Sequence, residues 1–226
     1  MSLVEELKKD IRIVEGLNAC INCGTCTAVC PAAAVVDYDP RIIVNTVQKW
    51  NEQEIETLLK SDDIWQCGEC LSCKSRCPRD NTPCYIVQAL RALSIEKGYF
   101  IESNQGRKQL AVKRTVGDHI LQYGYCVYFD EVDTDMYPEQ GPIWDWMQKN
   151  KNDILERLGA SYKKDIAGGL RNTSEESLSD LRKIFVETGG LQRMGKIETF
   201  SKAYAQNNGI SFNDGKDVYF KKQYEE

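Results

Sequence analysis

A cysteine pattern between residues 20 and 78 decides how this chain folds. The first copy reads CINCGTCTAVCP over residues 20–31, and the second reads CGECLSCKSRCP over residues 67–78. Both copies follow CxxCxxCxxxCP, with four cysteines each, and so account for eight of the 10 cysteines in the chain. Four thiols in the same register, twice over, indicate two equivalent sites for a group that thiolates bind.

This spacing is typical of chains that bind [4Fe–4S] clusters, because such a cube needs thiolates that converge from several directions. Three cysteines at intervals of three wrap one cluster, and the fourth, turned away by its proline, reaches the other. We therefore predict two [4Fe–4S] clusters with crossed ligands. Cluster 1 is assigned to Cys20, Cys23, Cys26 and Cys77, and cluster 2 to Cys67, Cys70, Cys73 and Cys30.

Zinc is the main alternative, since two CxxC pairs can supply the four thiolates of a structural zinc site. A zinc site of that kind has no use for a third evenly spaced cysteine followed by Cys-Pro in both copies. Disulfides are disfavoured because most of the cysteines have metal-ligand spacing and no secretory segment indicates an oxidising compartment. The pattern therefore favours iron–sulfur clusters over both alternatives.

The composition limits the class of protein. A chain of 226 residues with 42% hydrophobic content can bury one sizeable core or two small ones. Its net charge of −5 provides no overall basic field for nucleic acid. No run of about 18 apolar residues is present to span a bilayer, and the start, MSLVEELKKDIRIVEGLN, lacks the apolar core of a signal sequence. We expect a cytoplasmic protein.

Capping signals and apolar periodicity predict a mainly α fold. Asp39-Pro40, Asn51 and Thr82-Pro83 each combine a capping residue with a favourable first turn. Thr173 with Glu176 forms a further capping box. The predicted helices cover residues 4–17, 52–60, 85–97, 107–123, 174–187 and 191–206, with others opening at Pro40 and Pro142.

Three residues outside the cysteine motifs have side chains that could take part in redox chemistry or bind a metal. Cys84 falls in the first turn of a predicted helix, where a lowered thiol pKa would suit a redox or persulfide-accepting role; a small buried residue near the clusters is the simpler interpretation. Cys126 belongs to the apolar run 125–129, which we expect to be extended and buried. The lone His119 is interpreted as a packing or surface residue, not a ligand.

The chain contains two such motifs, a helical insert between them with Asp39-Pro40-Arg41, and no other cofactor motif. In these features it resembles the C subunit of heterodisulfide reductase and of the sulfur-oxidising heterodisulfide-reductase-like systems. The resemblance covers roughly residues 1–98. It implies the α-helical ferredoxin fold, which succinate dehydrogenase iron–sulfur subunits share. It also implies two partners, a CCG-bearing B-type subunit that does the thiol chemistry and a flavin-bearing A-type subunit.

Two absences set the chain apart from proteins of related fold. No adjacent Cys-Cys pair occurs, so the chain has no CCG motif of its own. It also lacks the cysteines for the N-terminal [2Fe–2S] domain of succinate dehydrogenase subunits. We therefore expect an α-helical two-cluster ferredoxin domain over residues 1–125 and a mostly helical extension over 126–226, with an acidic surface linker at about 130–141.

The predicted function is electron transfer within a larger oxidoreductase. The sequence contains no Ser-His-Asp order, no marked carboxylate pair and no GxGxxG loop, so no catalytic residue is assigned. Alternatives are an iron–sulfur redox-sensing or interaction protein, or a subunit of a succinate dehydrogenase-like or quinone-linked oxidoreductase. An enzyme in which Cys84 or Cys126 carries sulfur is a further hypothesis.

Overall fold

Helices make up the regular structure of the chain. The computed structural model describes residues 1–135, 137–213, 215 and 218–225, with side chains up to residue 223. Within these ranges there are α-helices, short 3₁₀ turns and one π-helical segment, and no strand. The mainly α fold class is therefore confirmed.

The α-helices begin at Leu3 and are numbered in chain order. Up to residue 112 they are α1 (Leu3–Lys9), α2 (Ile11–Gly16), α3 (Thr25–Ala28), α4 (Pro40–Gln48), α5 (Glu52–Lys60), α6 (Pro83–Lys97), α7 (Asn104–Arg107) and α8 (Gln109–Val112). Beyond it they are α9 (Asp118–Tyr123), α10 (Gly141–Lys149), α11 (Lys151–Arg157), α12 (Glu175–Glu187), α13 (Gly190–Asn207) and α14 (Val218–Glu225).

The chain divides into two compact units by its internal contacts. The first contains residues 1–109 and 199–208, and the second contains residues 110–198 and 209–225. This division differs from the predicted boundary between residues 125 and 126, because it follows packing between segments that are distant in sequence. The boundary expected between residues 125 and 126 stays a prediction.

Local capping explains where the helices of the first unit begin. The Asp39 carboxylate accepts a hydrogen bond from the Arg41 amide, and the Asn51 side chain accepts one from the Glu54 amide, so α4 and α5 start as predicted. The predicted helix over 4–17 is interrupted at Asp10. Its extended backbone ends α1, and its side chain caps α2.

The chain on either side of the two cysteine motifs is tied together. The Thr82 amide donates to the Gly16 carbonyl at 2.8 Å, and the Asn18 amide donates to the Asn81 side chain at 2.7 Å. A Cβ on Gly16 would lie 2.9 Å from the Cβ of Tyr85, so only glycine permits α2 to approach α6 this closely. These contacts bring the start of the first motif beside the end of the second.

An apolar core lies under the cysteine motifs. It is built from buried side chains of α1, α2, α4, α5 and α6, with Cys20, Cys30 and Cys67 packed against its edge. Val47, Ile55, Leu59 and Leu90 are fully buried in it. Burial of this kind supplies most of the free energy that holds the helices together, and it gives the two motifs a rigid base.

The region after residue 106 differs from the predictions in one helix and in one helix cap. The predicted helix over 107–123 is divided among α7, α8, the π-helical segment Lys113–Gly117 and α9. The cap of α12 is Ser174, which accepts a hydrogen bond from the Ser177 amide. The expected cap, Thr173, instead donates its hydroxyl to the Tyr123 carbonyl.

The run 125–129 and the acidic stretch after it also differ from expectation. Cys126 is exposed, and the run contains bends in place of an extended segment, so the prediction of a buried Cys126 is wrong. Asp130 is not a solvated linker residue. It pairs with Lys151, pairs with Lys163 at 2.7 Å, and accepts a hydrogen bond from the Tyr162 hydroxyl at 2.6 Å.

No helix in the described ranges combines the length and the apolar character needed to cross a bilayer.

Replacing a core side chain should destabilise the first unit. Leu59 is fully buried, so Leu59→Ala should lower the free energy of unfolding by about 2–5 kcal/mol through lost burial and the cavity left behind. Ile11→Ala is the control, since Ile11 is 64% exposed in the same unit. Anaerobic urea denaturation followed by circular dichroism measures both, and equal small losses would contradict the assigned core.

Replacing Asp130 should lower the free energy of unfolding of the second unit by the same amount at every pH between 5 and 7. Burial acts to raise the pKa of Asp130, but hydrogen bonds from the two lysines and Tyr162 outweigh it and lower the pKa to about 2. A carboxyl whose pKa is lower in the folded chain stabilises it above the unfolded value of about 3.9, and this contribution disappears as pH falls towards the folded pKa.

Asp130→Asn should therefore lower the free energy of unfolding by about 1–2 kcal/mol at both pH 5 and pH 7, a figure reduced for partial exposure. The matched control is Asp153→Asn, which removes an ion pair with Arg157 whose aspartate is 64% exposed. A loss that is present at pH 7 and absent at pH 5 would disprove the assigned pKa.

Candidate metal centres

The two cysteine motifs have the same backbone conformation as well as the same spacing. Asn22 and Glu69, which occupy equivalent positions, have φ values of 58° and 54°. Gly24 and Leu71, the next equivalent pair, have φ values of 78° and 60°. Left-handed backbone is costly for residues other than glycine, so its recurrence at matching positions identifies a repeated loop that both motifs must form.

Amide and hydroxyl groups approach the cysteine sulfurs in matching pairs. The Asn22 amide donates to Cys20 Sγ, and the Glu69 amide donates to Cys67 Sγ, each at 3.4 Å. Next in each loop, Cys23 Sγ lies 3.4 Å from the Thr25 hydroxyl, and Cys70 Sγ lies 3.4 Å from the Ser72 hydroxyl. The two amides are donors that stabilise a thiolate, which is the form that binds metal.

The pKa values of four motif thiols follow from these surroundings. The hydrogen bond from the Thr25 side chain lowers the pKa of Cys23, and the one from Ser72 lowers the pKa of Cys70. Burial raises the pKa of Cys26 and of Cys73. Metal binding must therefore displace protons from these two partly buried thiols, which makes the affinity dependent on pH.

A first small cavity, with a volume of about 20 Å³, lies between the two motifs. Three of its cysteines come from the first motif and one from the second. They are Cys20, Cys23, Cys26 and Cys77. Gln48 of α4 accepts a hydrogen bond from the Cys20 amide at 3.0 Å, and the Asn81 side chain donates to Cys77 Sγ at 3.7 Å. Arg41 and Arg79 also line this cavity, and they provide positive charge beside the thiols.

A second cavity has a volume of about 310 Å³ and the reciprocal composition. Its motif cysteines are Cys30, Cys67, Cys70 and Cys73. Arg91 of α6 holds this loop in place, because its guanidinium donates to the carbonyls of Ile64 and Cys67, at 2.6 and 2.7 Å, and pairs with the Glu69 carboxylate at 2.6 Å. Tyr38 and Cys84 also line the cavity.

The Asp39 carboxylate links the first motif to the start of α4. It caps α4, pairs with Arg41 at 2.8 Å and accepts a hydrogen bond from the Thr27 hydroxyl. Burial acts to raise the pKa of Asp39, but the hydrogen bonds from Arg41 and Thr27 outweigh it and hold the pKa below its ordinary value. The carboxylate therefore stays ionised and fixes Arg41 beside the first cavity.

The chemistry of the lining residues fits an iron–sulfur group. Each cavity presents four motif thiols, the donors that such clusters require, and Cys84 lines the second cavity in addition. In the second cavity the Tyr38 hydroxyl is buried and has no hydrogen-bond partner among the described residues, and the sulfur of a bound cluster is an acceptor that would satisfy it. In the described ranges no group of three His, Cys, Asp or Glu side chains has the geometry of a site for one metal ion.

Of the other residues considered from sequence, Cys84 lines a cavity and Cys126 lines neither. Cys84 is 2% exposed at the start of α6. Burial and the neighbouring Cys67 raise the pKa of Cys84 to about 12, so the hypothesis of a lowered pKa is wrong. Sequence reasoning did not identify Tyr38 or Arg91 as parts of the site, since neither belongs to a recognisable motif.

Comparisons with known proteins agree on the class of site. A family model described as a 4Fe-4S dicluster domain matches residues 16–81. The C subunit of ferredoxin:CoB-CoM heterodisulfide reductase from Methanosarcina acetivorans is 36% identical over 211 residues, which cover 92% of this chain and 76% of the relative. Its namesake from Methanosarcina mazei is 31% identical over 163 residues, or 70% of this chain and 92% of the relative.

A C-type iron-sulfur subunit of CoB–CoM heterodisulfide reductase from Methanocaldococcus jannaschii is 34% identical over 115 residues, covering 51% of this chain and 55% of the relative. The similarity to the first relative extends well beyond the cysteine motifs, into residues for which the sequence motifs predicted nothing. The resemblance inferred from the motifs is thereby confirmed. The chain belongs to the family of heterodisulfide reductase C subunits and is an iron–sulfur electron-transfer subunit.

Proposed function

We propose that this chain relays electrons between a flavin-bearing A-type subunit and a CCG-bearing B-type subunit of a cytoplasmic heterodisulfide reductase-like complex. The observation that carries the proposal is the composition of the two cavities. Each is lined by three cysteines of one motif and the fourth cysteine of the other. This composition supports two sites that are held together by the same two loops.

The residues that would hold the clusters are the predicted crossed sets. Cluster 1 would be bound by Cys20, Cys23, Cys26 and Cys77, and cluster 2 by Cys67, Cys70, Cys73 and Cys30. When bound, a [4Fe–4S] cluster accepts and returns single electrons without breaking covalent bonds in a substrate. The Asn22 and Glu69 amides favour the more negative form of each site by donating to ligand sulfurs.

The exposure of equivalent cysteines supports transfer at two surfaces. Cys23 and Cys70 occupy the same position in their loops, and both are exposed, whereas the other motif cysteines are partly buried. Each site therefore reaches the surface of the first unit through its own loop. A partner that approached either loop would lie close to a ligand sulfur, as electron transfer between subunits requires.

The thiol or disulfide chemistry is assigned to the partner. The only histidine of the chain, His119, is 7% exposed in the second unit and lines neither cavity. The two cysteines outside the motifs are equally unsuited to carry sulfur, because Cys84 is a buried thiol of raised pKa and Cys126 lines neither cavity. The family relatives named for the CoB–CoM heterodisulfide support a disulfide as the substrate class.

The anaerobically purified chain should contain about eight irons and eight sulfides, as two cubes require. The ligand sets can be assigned by electron paramagnetic resonance (EPR) of the reduced protein. Cys23→Ser should alter one signal and Cys70→Ser the other. With crossed ligands, Cys77→Ser should alter the same signal as Cys23→Ser, and Cys30→Ser the same signal as Cys70→Ser.

Pairing within each motif would give the opposite result, with Cys77→Ser and Cys70→Ser altering one signal together. That outcome would disprove the crossed sets while leaving the cluster count intact. Purified chain that contained zinc and no sulfide would disprove the electron-transfer function itself.

The relay can be tested in the assembled complex. A complex purified from its host through a tag on this chain should contain a flavin-bearing subunit and a CCG-bearing subunit. Disulfide reduction driven by the flavin subunit should fall at least tenfold in complexes with Cys70→Ser, because one site loses a ligand. Cys126→Ser is the matched control and should leave the rate unchanged; a loss of rate with this variant would favour direct sulfur chemistry at Cys126.

A further inference from the structure

Tyr38 occupies a special position beside the second cavity. It lies between the first cysteine motif and Asp39, the cap of α4, and only 4% of its surface is exposed. Its side chain packs into the apolar core that supports both loops. Tyr38 also lines the cavity together with Cys30 and Cys67. The Tyr38 hydroxyl is thus a buried polar group at the wall of the second cavity.

The Tyr38 hydroxyl makes no hydrogen bond to any described residue. A buried polar group without a partner costs about 1–3 kcal/mol, so native proteins rarely leave one unsatisfied. Tyr38 lines the second cavity together with the motif thiols Cys30, Cys67, Cys70 and Cys73, and a cluster bound there would present sulfur atoms to this hydroxyl. The missing partner is therefore a sulfur acceptor.

The hydroxyl remains a donor at neutral pH. A tyrosine hydroxyl ordinarily has a pKa of about 10. The proton consequently stays on the oxygen, and the group can donate one hydrogen bond. A hydrogen bond donated to sulfur becomes stronger as the sulfur gains negative charge.

We propose that the Tyr38 hydroxyl donates a hydrogen bond to a sulfur atom of the cluster bound by Cys30, Cys67, Cys70 and Cys73, and thereby raises the reduction potential of that cluster alone. This inference rests on the proposed function. Reduction adds one electron and transfers no proton, because the hydrogen bond only strengthens. Tyr38 is thus a positioning residue that tunes one site of the pair.

The two cavities differ chemically although their motifs are identical. The first is lined by Arg41, Arg79 and Asn81, and it has no tyrosine. The second has Tyr38, the only tyrosine among the described residues that lines either of the two cavities. Removing this one hydroxyl should therefore change the difference between the two potentials, which a general loss of stability would not do.

The test is a redox titration of the full chain with both clusters bound, followed by EPR. Tyr38→Phe keeps the ring and removes the donor. It should shift the reduction equilibrium of one cluster towards the oxidised form by up to tenfold, which corresponds to a potential lower by about 59 mV for one electron. Tyr99→Phe is the matched control, since Tyr99 packs against the same core and lines neither cavity.

Variants of the cysteine ligands identify the cluster whose reduction potential changes. The shifted signal should be the one that Cys70→Ser alters, and the signal that Cys23→Ser alters should stay in place. The exchangeable proton coupling to the same cluster, measured by electron–nuclear double resonance, should lose one component in Tyr38→Phe. Unchanged potentials in a variant that retains both clusters, or a shift of the other cluster, would overturn the inference.

A second measurement applies if Tyr38→Phe does not assemble. Biosynthetic replacement of tyrosine by 3,5-difluorotyrosine keeps the ring and the hydroxyl and makes each phenol a stronger donor. The cluster of the second cavity should then have a higher potential, and the other should not change. A chain without [4Fe–4S] clusters would instead refute the proposed function, so the two failures are distinguishable.

Discussion

The first unit depends on the pairing of the chain before the first cysteine motif with the chain after the second. The Thr82 amide bonds to the Gly16 carbonyl, and the Asn18 amide bonds to the Asn81 side chain. Because Gly16 has no Cβ, α2 can lie directly against α6 at Tyr85. The same packing accompanies the position of Cys77 in the cavity of the first motif and of Cys30 in the cavity of the second.

Two helices, α4 between the motifs and α6 after the second motif, complete this arrangement. α4 holds the first loop through Gln48 and Asp39, and α6 holds the second through Arg91. Each loop is thus fixed by a helix whose other face belongs to one apolar core. A rigid base of this kind keeps the ligand sulfurs in position when the charge of a bound group changes, which favours rapid electron transfer over conformational change.

Features set by neighbouring residues could be predicted from sequence, and features set by distant packing could not. The caps Asp39 and Asn51 act within one helical turn, so α4 and α5 were predicted correctly. Asp10 was not recognised as a residue whose extended backbone ends one helix and whose side chain caps the next. The exposure of Cys126 and the packing of residues 199–208 with the first unit depend on contacts that no local pattern encodes. Tyr38 carries no motif, and only the cavity shows its importance.

The exposure of Cys23 and Cys70 makes their sulfurs susceptible to oxidation. Small oxidants reach an exposed thiolate without any opening of the fold, and sulfur oxidation beyond the first step is difficult to reverse. The two sulfurs proposed to bring each centre within reach of a partner are therefore also the motif sulfurs most open to oxidation. Long service of such a protein requires either an anoxic cell interior or a neighbouring protein that covers both loops.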